Sequence, residues 1–111
     1  MEQRVDGKKR NNDTKVLMVV DDDPDMLTII KKSLESDVKI DVYCFTNPVA
    51  AVQQFAINSQ DYDAIISDIR MPKMNGFEFA RQIMQINPSA KVFLITAFKV
   101  NRKNSQLCFH H

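Results

Sequence analysis

The sequence predicts an α/β fold in which a parallel sheet lies between helices, a three-layer α/β/α arrangement. Three observations carry this expectation. Four short apolar runs rich in β-branched residues alternate with segments of helical periodicity. The connections are short, and strands separated by helices build parallel βαβ units with right-handed crossovers. Two of the apolar runs end in carboxylates, at Asp21-Asp22-Asp23 and at Asp68. The carboxyl ends of parallel strands are where open sheets of this kind place their ligand sites.

Taken in order, residues 1–14 lack apolar periodicity and are expected to form a disordered tail. Its basic cluster, Lys8-Lys9-Arg10, is flanked by acids and reads as solvated. Val16 to Val20 is a continuous apolar run of the kind buried on both faces. Pro24 then opens a helix at a first-turn position with Asp23 as its cap. Met26, Leu27, Ile30 and Leu34 recur at helical spacing, while Lys31, Lys32 and Glu35 are expected to face water. The helix ends at Ser36-Asp37. Lys39 to Phe45 is β-branched and aromatic and reads as the second strand. Asn47-Pro48 starts the second helix, with Val49, Val52, Phe55 and Ala56 expected on its buried face. A turn at 58–61 leads into the third strand, Asp63 to Ser67. The third helix runs from Gly76 to Ile86, with Phe77, Ala80, Ile83 and Met84 expected to face inward, and Asn87-Pro88 stops it. Lys91 to Thr96 reads as the fourth strand, and another helix is expected from Ala97.

The chain has 111 residues, which suits one domain, here expected over residues 15–111. Its net charge of +1 gives no global attraction to nucleic acid or to an acidic membrane, so function is expected in a local site. No apolar segment approaches the length of a membrane span. The charges of both signs between Met1 and Lys15 do not make a secretory signal, and a cytoplasmic location is expected. Cys44 and Cys108 fit neither a disulfide framework nor a clustered metal motif, and Cys44 reads as a buried small side chain.

Two strand ends that carry carboxylates can meet only if the strands are parallel neighbours. Asp68 is followed by Pro72 and the Asn75-Gly76 pair, which shape a loop before the third helix, and Gly76 is expected to serve the backbone conformation. The expectation is that Asp68 meets the 21–23 cluster in a magnesium-dependent phosphoryl-accepting site. A carboxylate approaching an anionic phosphoryl group is repelled unless a hard divalent cation bridges the two. Plainer readings exist: the acids could simply cap a helix, Asp68 could be an ordinary loop acid, and a strand-end threonine is common. Capping, however, needs one acid and does not call for Asp68 as a partner. A calcium-loop reading of Asp21, Asp23 and Asp25 fails because its glycine slot falls on Met26 and its glutamate slot on Lys32.

Val19-Val20-Asp21-Asp22-Asp23-Pro24, then Ile66-Ser67-Asp68-Ile69-Arg70-Met71-Pro72-Lys73-Met74-Asn75-Gly76, then Phe93-Leu94-Ile95-Thr96-Ala97 resemble response-regulator receiver domains. The likeness runs from about Lys15 to Lys99 in matching order. It implies a flavodoxin-like, doubly wound sheet with strand order 2-1-3-4-5. It also implies that Asp22 holds Mg2+ directly, that Asp21 acts through water, and that Asp68 is both ligand and phosphoacceptor. The backbone carbonyl of Arg70 would complete the ligands, and the Thr96 hydroxyl would donate to a phosphoryl oxygen and draw its loop inward. A haloacid-dehalogenase-like phosphatase is the distant alternative. Its motif wants Asp-x-Asp before Gly/Thr-type residues, where Pro24-Asp25 stands, and it leaves Asp68 and Thr96 without a role.

After Thr96 the sequence resembles the family less. No fifth strand with the family's lysine and no fifth helix fit in the remaining residues, and Lys99 and Lys103 lie on the wrong side of Thr96 to substitute. A C-terminally truncated receiver is therefore expected, with the fourth strand as an apolar edge inviting a homodimer, strand swapping or poor solubility. The resulting functional expectation is a non-enzymatic phosphoacceptor that takes its phosphoryl group from a sensor histidine kinase or a phosphotransfer protein. It would signal through altered partner binding, without direct contact with nucleic acid or membrane. The alternative is a truncated, non-phosphorylated receiver acting as a protein-binding or dimerisation module.

Overall fold

The computed structural model of the chain describes residues 13–96. Nearly all of the tail expected at residues 1–14, the helix expected from Ala97, both Lys99 and Lys103, and Cys108 lie outside the described residues. The elements run β1 (Lys15–Val20), α1 (Pro24–Leu34), β2 (Ile40–Phe45), α2 (Pro48–Ile57), β3 (Ala64–Asp68), α3 (Gly76–Ile86) and β4 (Val92–Ile95), with a 3-10 turn at Ser59–Asp61 before β3. The strands form one sheet in the order β2-β1-β3-β4, and every pairing is parallel. Four parallel strands with helices between them are the doubly wound, flavodoxin-like plan.

Helix starts follow local chemistry. Asp23 caps α1 by accepting from the Asp25 N–H, Asn47 caps α2 through the Val49 N–H, and Asn75 caps α3 through the Glu78 N–H. Each cap satisfies a backbone donor that the first helical turn would leave open. Pro24 and Pro48 take first-turn positions, where their missing N–H costs nothing.

Apolar burial divides between the two faces of the sheet. On one face Met18, Val20 and Ile65 meet Ala51 and Phe55 of α2 and Phe79 and Ile83 of α3. On the other, Val19 and Val42 pack with Leu27 of α1. Burying side chains of this size stabilises the fold by roughly 1.5–3 kcal/mol each. β1 therefore contributes to both cores, as its unbroken apolar run predicts.

Helix phase differs from the sequence expectation in two places. In α3 the buried positions are Gly76, Phe79, Ala80 and Ile83, whereas Phe77 is 62% and Met84 44% exposed. The Asn75 cap fixes the helix start so that positions i, i+3, i+4 and i+7 from Gly76 face the sheet, which selects Phe79 over Phe77. In α2 the buried residues are Pro48, Ala51 and Phe55, with Val49 and Ala56 turned to solvent. On α1, Lys31 and Glu35 do not simply face water. The Lys31 Nζ donates to the Val42 carbonyl and to Glu35, and the Glu35 Oε2 accepts from the Val42 N–H at 2.8 Å. Cys44 is half-buried, and burial pushes its thiol pKa up. β3 begins one residue later than expected and runs through Asp68, so this acid ends the strand and does not lie in the loop.

Candidate functional site

The sheet register sets the site. Val20 of β1 pairs with Phe45 on one side and Ser67 on the other, so the next residues along, Asp21 and Asp68, reach the carboxyl edge at the same level. The Asp21 N–H donates to the Phe45 carbonyl, which extends the β1 line one residue past the strand. Asp21 and Asp68 are each 1% exposed, while Asp22 turns toward solvent. Carboxylate oxygens of Asp21, Asp22 and Asp68 all lie within 4.8 Å of one another. The meeting of the two acidic motifs expected from the sequence therefore occurs.

The third aspartate of the run does different work. Asp23 is the α1 cap, and its own N–H donates to Asp21 Oδ1 at 2.9 Å. One acid thus closes the helix while orienting another, and the capping reading of the cluster applies to Asp23.

Three hard oxygen donors, two of them buried, suit Mg2+ or a similar hard cation and not a soft thiolate-seeking metal. Gathering negative charge in a low-dielectric pocket is costly, and a divalent cation is the partner that such a donor set best accommodates. The residues present fit the ion.

Beyond Asp68 the chain turns away under tight control. The Ile69 N–H donates to the Ile95 carbonyl, and the Gly76 N–H donates back to the Ile69 carbonyl at 2.8 Å. The Ser67 hydroxyl, fully buried, donates to the Asp68 backbone carbonyl at 2.9 Å. Arg70 lies on the wall of an open cleft of about 620 Å³ with Asp22, Ile69, Met71, Pro72, Asn75 and Phe77. The Arg70 side chain is exposed. Met71 packs into the core beneath the loop.

Thr96 directly follows Ile95, the register partner of Asp68, and is exposed. The structure therefore sets it on the same sheet edge, one residue past the register partner of Asp68. Gly76 is explained by space and not by unusual backbone angles. A Cβ built there would stand 2.5 Å from the Asp68 carbonyl oxygen and 2.9 Å from Ile69 Cα. Sequence reasoning missed Ser67 and the Asn75 cap. Ser67 gave no signal because a serine inside an apolar strand looks like a tolerated small residue; Asn75, three residues before Glu78, carried a readable capping pattern.

Comparison with known proteins points one way. Residues 17–108 match the response regulator receiver domain family model. The response regulator receiver protein CpdR of Brucella abortus is 32% identical over 84 residues, covering 76% of this chain and 68% of that protein. The transcriptional regulatory protein ComA of Bacillus subtilis is 32% identical over 89 residues, covering 78% of this chain but only 41% of the longer protein. Among solved structures, the response regulator TrrA of Thermotoga maritima in complex with Mg(2+)-BeF superposes with a TM-score of 0.69 at 32% identity, over 85% of this chain and 77% of that one. TrrA in complex with the histidine kinase ThkA gives a TM-score of 0.68 at 29% identity, over 83% and 79%. Among the described residues, no helix is long and apolar enough to cross a membrane.

Proposed function

The chain belongs to the response regulator receiver domain family, a signalling module of two-component systems, and from that premise we propose that Asp68 is its phosphoacceptor. The observation that carries this is the approach of Asp21, Asp22 and Asp68 to within 4.8 Å, with Asp68 the last residue of a central strand. Asp22, Asp21, Asp68 and the Arg70 backbone carbonyl would hold Mg2+, with Asp22 the direct carboxylate and Asp21 acting through water. When bound, that ion supplies neutralisation of the charge shared between carboxylate and phosphoryl group.

The chain's own residues then account for positioning. An Asp68 carboxylate oxygen attacks phosphorus; its new P–O bond forms as the bond from phosphorus to the donor's imidazole nitrogen breaks. The electron pair leaves with that nitrogen, which takes up a proton. Transfer of this kind depends mainly on alignment and charge compensation, so a rigidly held acid is the main requirement. Thr96, one residue past the register partner of Asp68, would donate its hydroxyl to a phosphoryl oxygen and so bias its loop.

The partner we assign is a sensor histidine kinase or phosphotransfer protein, a reading supported by the TrrA–ThkA complex. The Mg(2+)-BeF complex of TrrA likewise supports the metal. A homodimer through the outer edge of β4, which has no strand partner among the described residues, is proposed alongside. The family assignment sets the haloacid-dehalogenase-like alternative aside.

The test is intact-mass detection of phosphorylation with acetyl phosphate and Mg2+, comparing the wild-type chain with Asp68→Asn. A mass gain that requires both Mg2+ and Asp68 is expected. A folded protein that gains no mass would instead favour a receiver that works as a binding module without phosphorylation.

A further inference from the structure

The peptide that follows Asp68 is held from several directions at once, by residues with no charge. The Ser67 hydroxyl donates to the Asp68 carbonyl oxygen at 2.9 Å, and Ser67 is fully buried. The next carbonyl, of Ile69, receives the Gly76 N–H at 2.8 Å. Gly76 itself is buried so closely against this peptide that an added Cβ would lie 2.5 Å from the Asp68 oxygen, 2.9 Å from Ile69 Cα and 3.2 Å from the Asp68 carbonyl carbon. All three are backbone atoms, so a side chain at position 76 could be admitted only by moving the strand end or the helix start. Because Asn75 anchors α3 through the Glu78 N–H, the helix start resists that movement.

We infer that Ser67 and Gly76 are positioning residues that set the height and tilt of the Asp68–Ile69 peptide, and with it the placing of the metal-facing groups at Asp68 and Arg70. This role rests on the reading of the carboxylate cluster as a Mg2+ site. It differs from the role expected for Gly76 in the sequence, since what matters is the absence of a Cβ against a neighbouring backbone. Residues that orient ligands from behind commonly cost about 10–100-fold in metal affinity when altered, because a hard cation demands close positional agreement among its oxygens.

The experiment is calorimetric titration with Mg2+ alone, using the full chain and three variants: Gly76→Ala, Ser67→Ala and Ile83→Ala. Ile83 is buried from the same α3 helix in the cluster that also holds Met71 of the loop, and its truncation loosens that packing without removing any group that bonds or abuts the Asp68–Ile69 peptide. Gly76→Ala is expected to weaken Mg2+ binding at least about tenfold and Ser67→Ala by a smaller factor. Ile83→Ala should lower the melting temperature while leaving Mg2+ affinity within about twofold, because it costs packing energy but removes none of the groups that hold the Asp68–Ile69 peptide. If Gly76→Ala does not fold, Ser67→Ala decides, and unchanged affinity in it overturns the inference. Wild-type binding with Gly76→Ala unchanged, or an equal loss in Ile83→Ala, also overturns it while leaving the metal reading intact. Wild type that binds no Mg2+ would overturn the metal reading and this role together.

Discussion

Asp21, Asp22 and Asp23 share one side chain, yet the backbone gives them separate work. Asp23 caps α1, Asp21 is buried on the sheet edge, and Asp22 faces the open cleft. Two carboxylates about 5 Å apart repel by roughly 3 kcal/mol at an effective dielectric near 20, and exposure of one of them screens much of that. Asp22→Asn is therefore expected to stabilise the metal-free protein by about 1 kcal/mol and to abolish most of the stabilisation that Mg2+ gives the wild type. Thermal melts with and without Mg2+ check both; an Asp22→Asn protein that gains as much from Mg2+ as the wild type would contradict the ligand role. The acidic residues were legible in the sequence because charge after an apolar strand is conspicuous. Ser67 was not, because its partner is the carbonyl of the adjacent residue, and a backbone partner leaves no mark in the composition.

Elements show where periodicity informs and where it misleads. The boundaries of α3 were readable from Asn75-Gly76 and Asn87-Pro88, but its phase was not, since Phe77 and Phe79 both fit an apolar stripe until the cap fixes the first turn. Phe79→Ala should cost about 3–5 kcal/mol as a buried aromatic, whereas Phe77→Ala should stay within about 0.5 kcal/mol, as exposed substitutions usually do. Chemical denaturation of the two variants distinguishes them. On the α1 side, Glu35 and Lys31 occupy both outward backbone groups of Val42 in edge strand β2. Burial pushes the Glu35 carboxyl up, but hydrogen bonds from Lys31 and from the Val42 N–H, with the Lys31 charge, hold it below the ordinary value of 4.5. A carboxyl depressed by folding contributes stability that is complete above its unfolded pKa and lost as pH falls through its folded one. Glu35→Gln should accordingly cost about 0.5–1 kcal/mol at neutral pH, with the difference from wild type shrinking below about pH 4. The amide of Val42 should exchange faster with solvent in the same variant. The sequence could not reveal this clamp, because Lys31 and Glu35 at i and i+4 look like any solvated helix pair.

At the scale of the whole molecule, the alternation of strands and helices was enough to read the fold class, and the family likeness supplied the strand order now seen as β2-β1-β3-β4. The two edges of that sheet differ. β2 has its outward groups at Val42 taken by α1, whereas β4 pairs only with β3 among the described residues and carries Phe93 at 54% exposure. Strand pairing between copies is thus expected at β4 and not at β2. Light scattering after size exclusion should show a dimer that Phe93→Glu shifts toward monomer, and a clean wild-type monomer would count against it. The side-by-side pairing of β1 and β3 has a consequence in time. During synthesis the chain presents Asp21 and Asp22 well before Asp68 exists, and β2 and α2 are both made before β3 can pair with the other side of β1. Contacts between segments so far apart along the chain form late, after their loop entropy has been met. An ion that needs all three acids can favour only the assembled sheet. Magnesium would then be blind to every earlier intermediate, and its uptake would mark the moment at which the newborn chain becomes able to receive a signal.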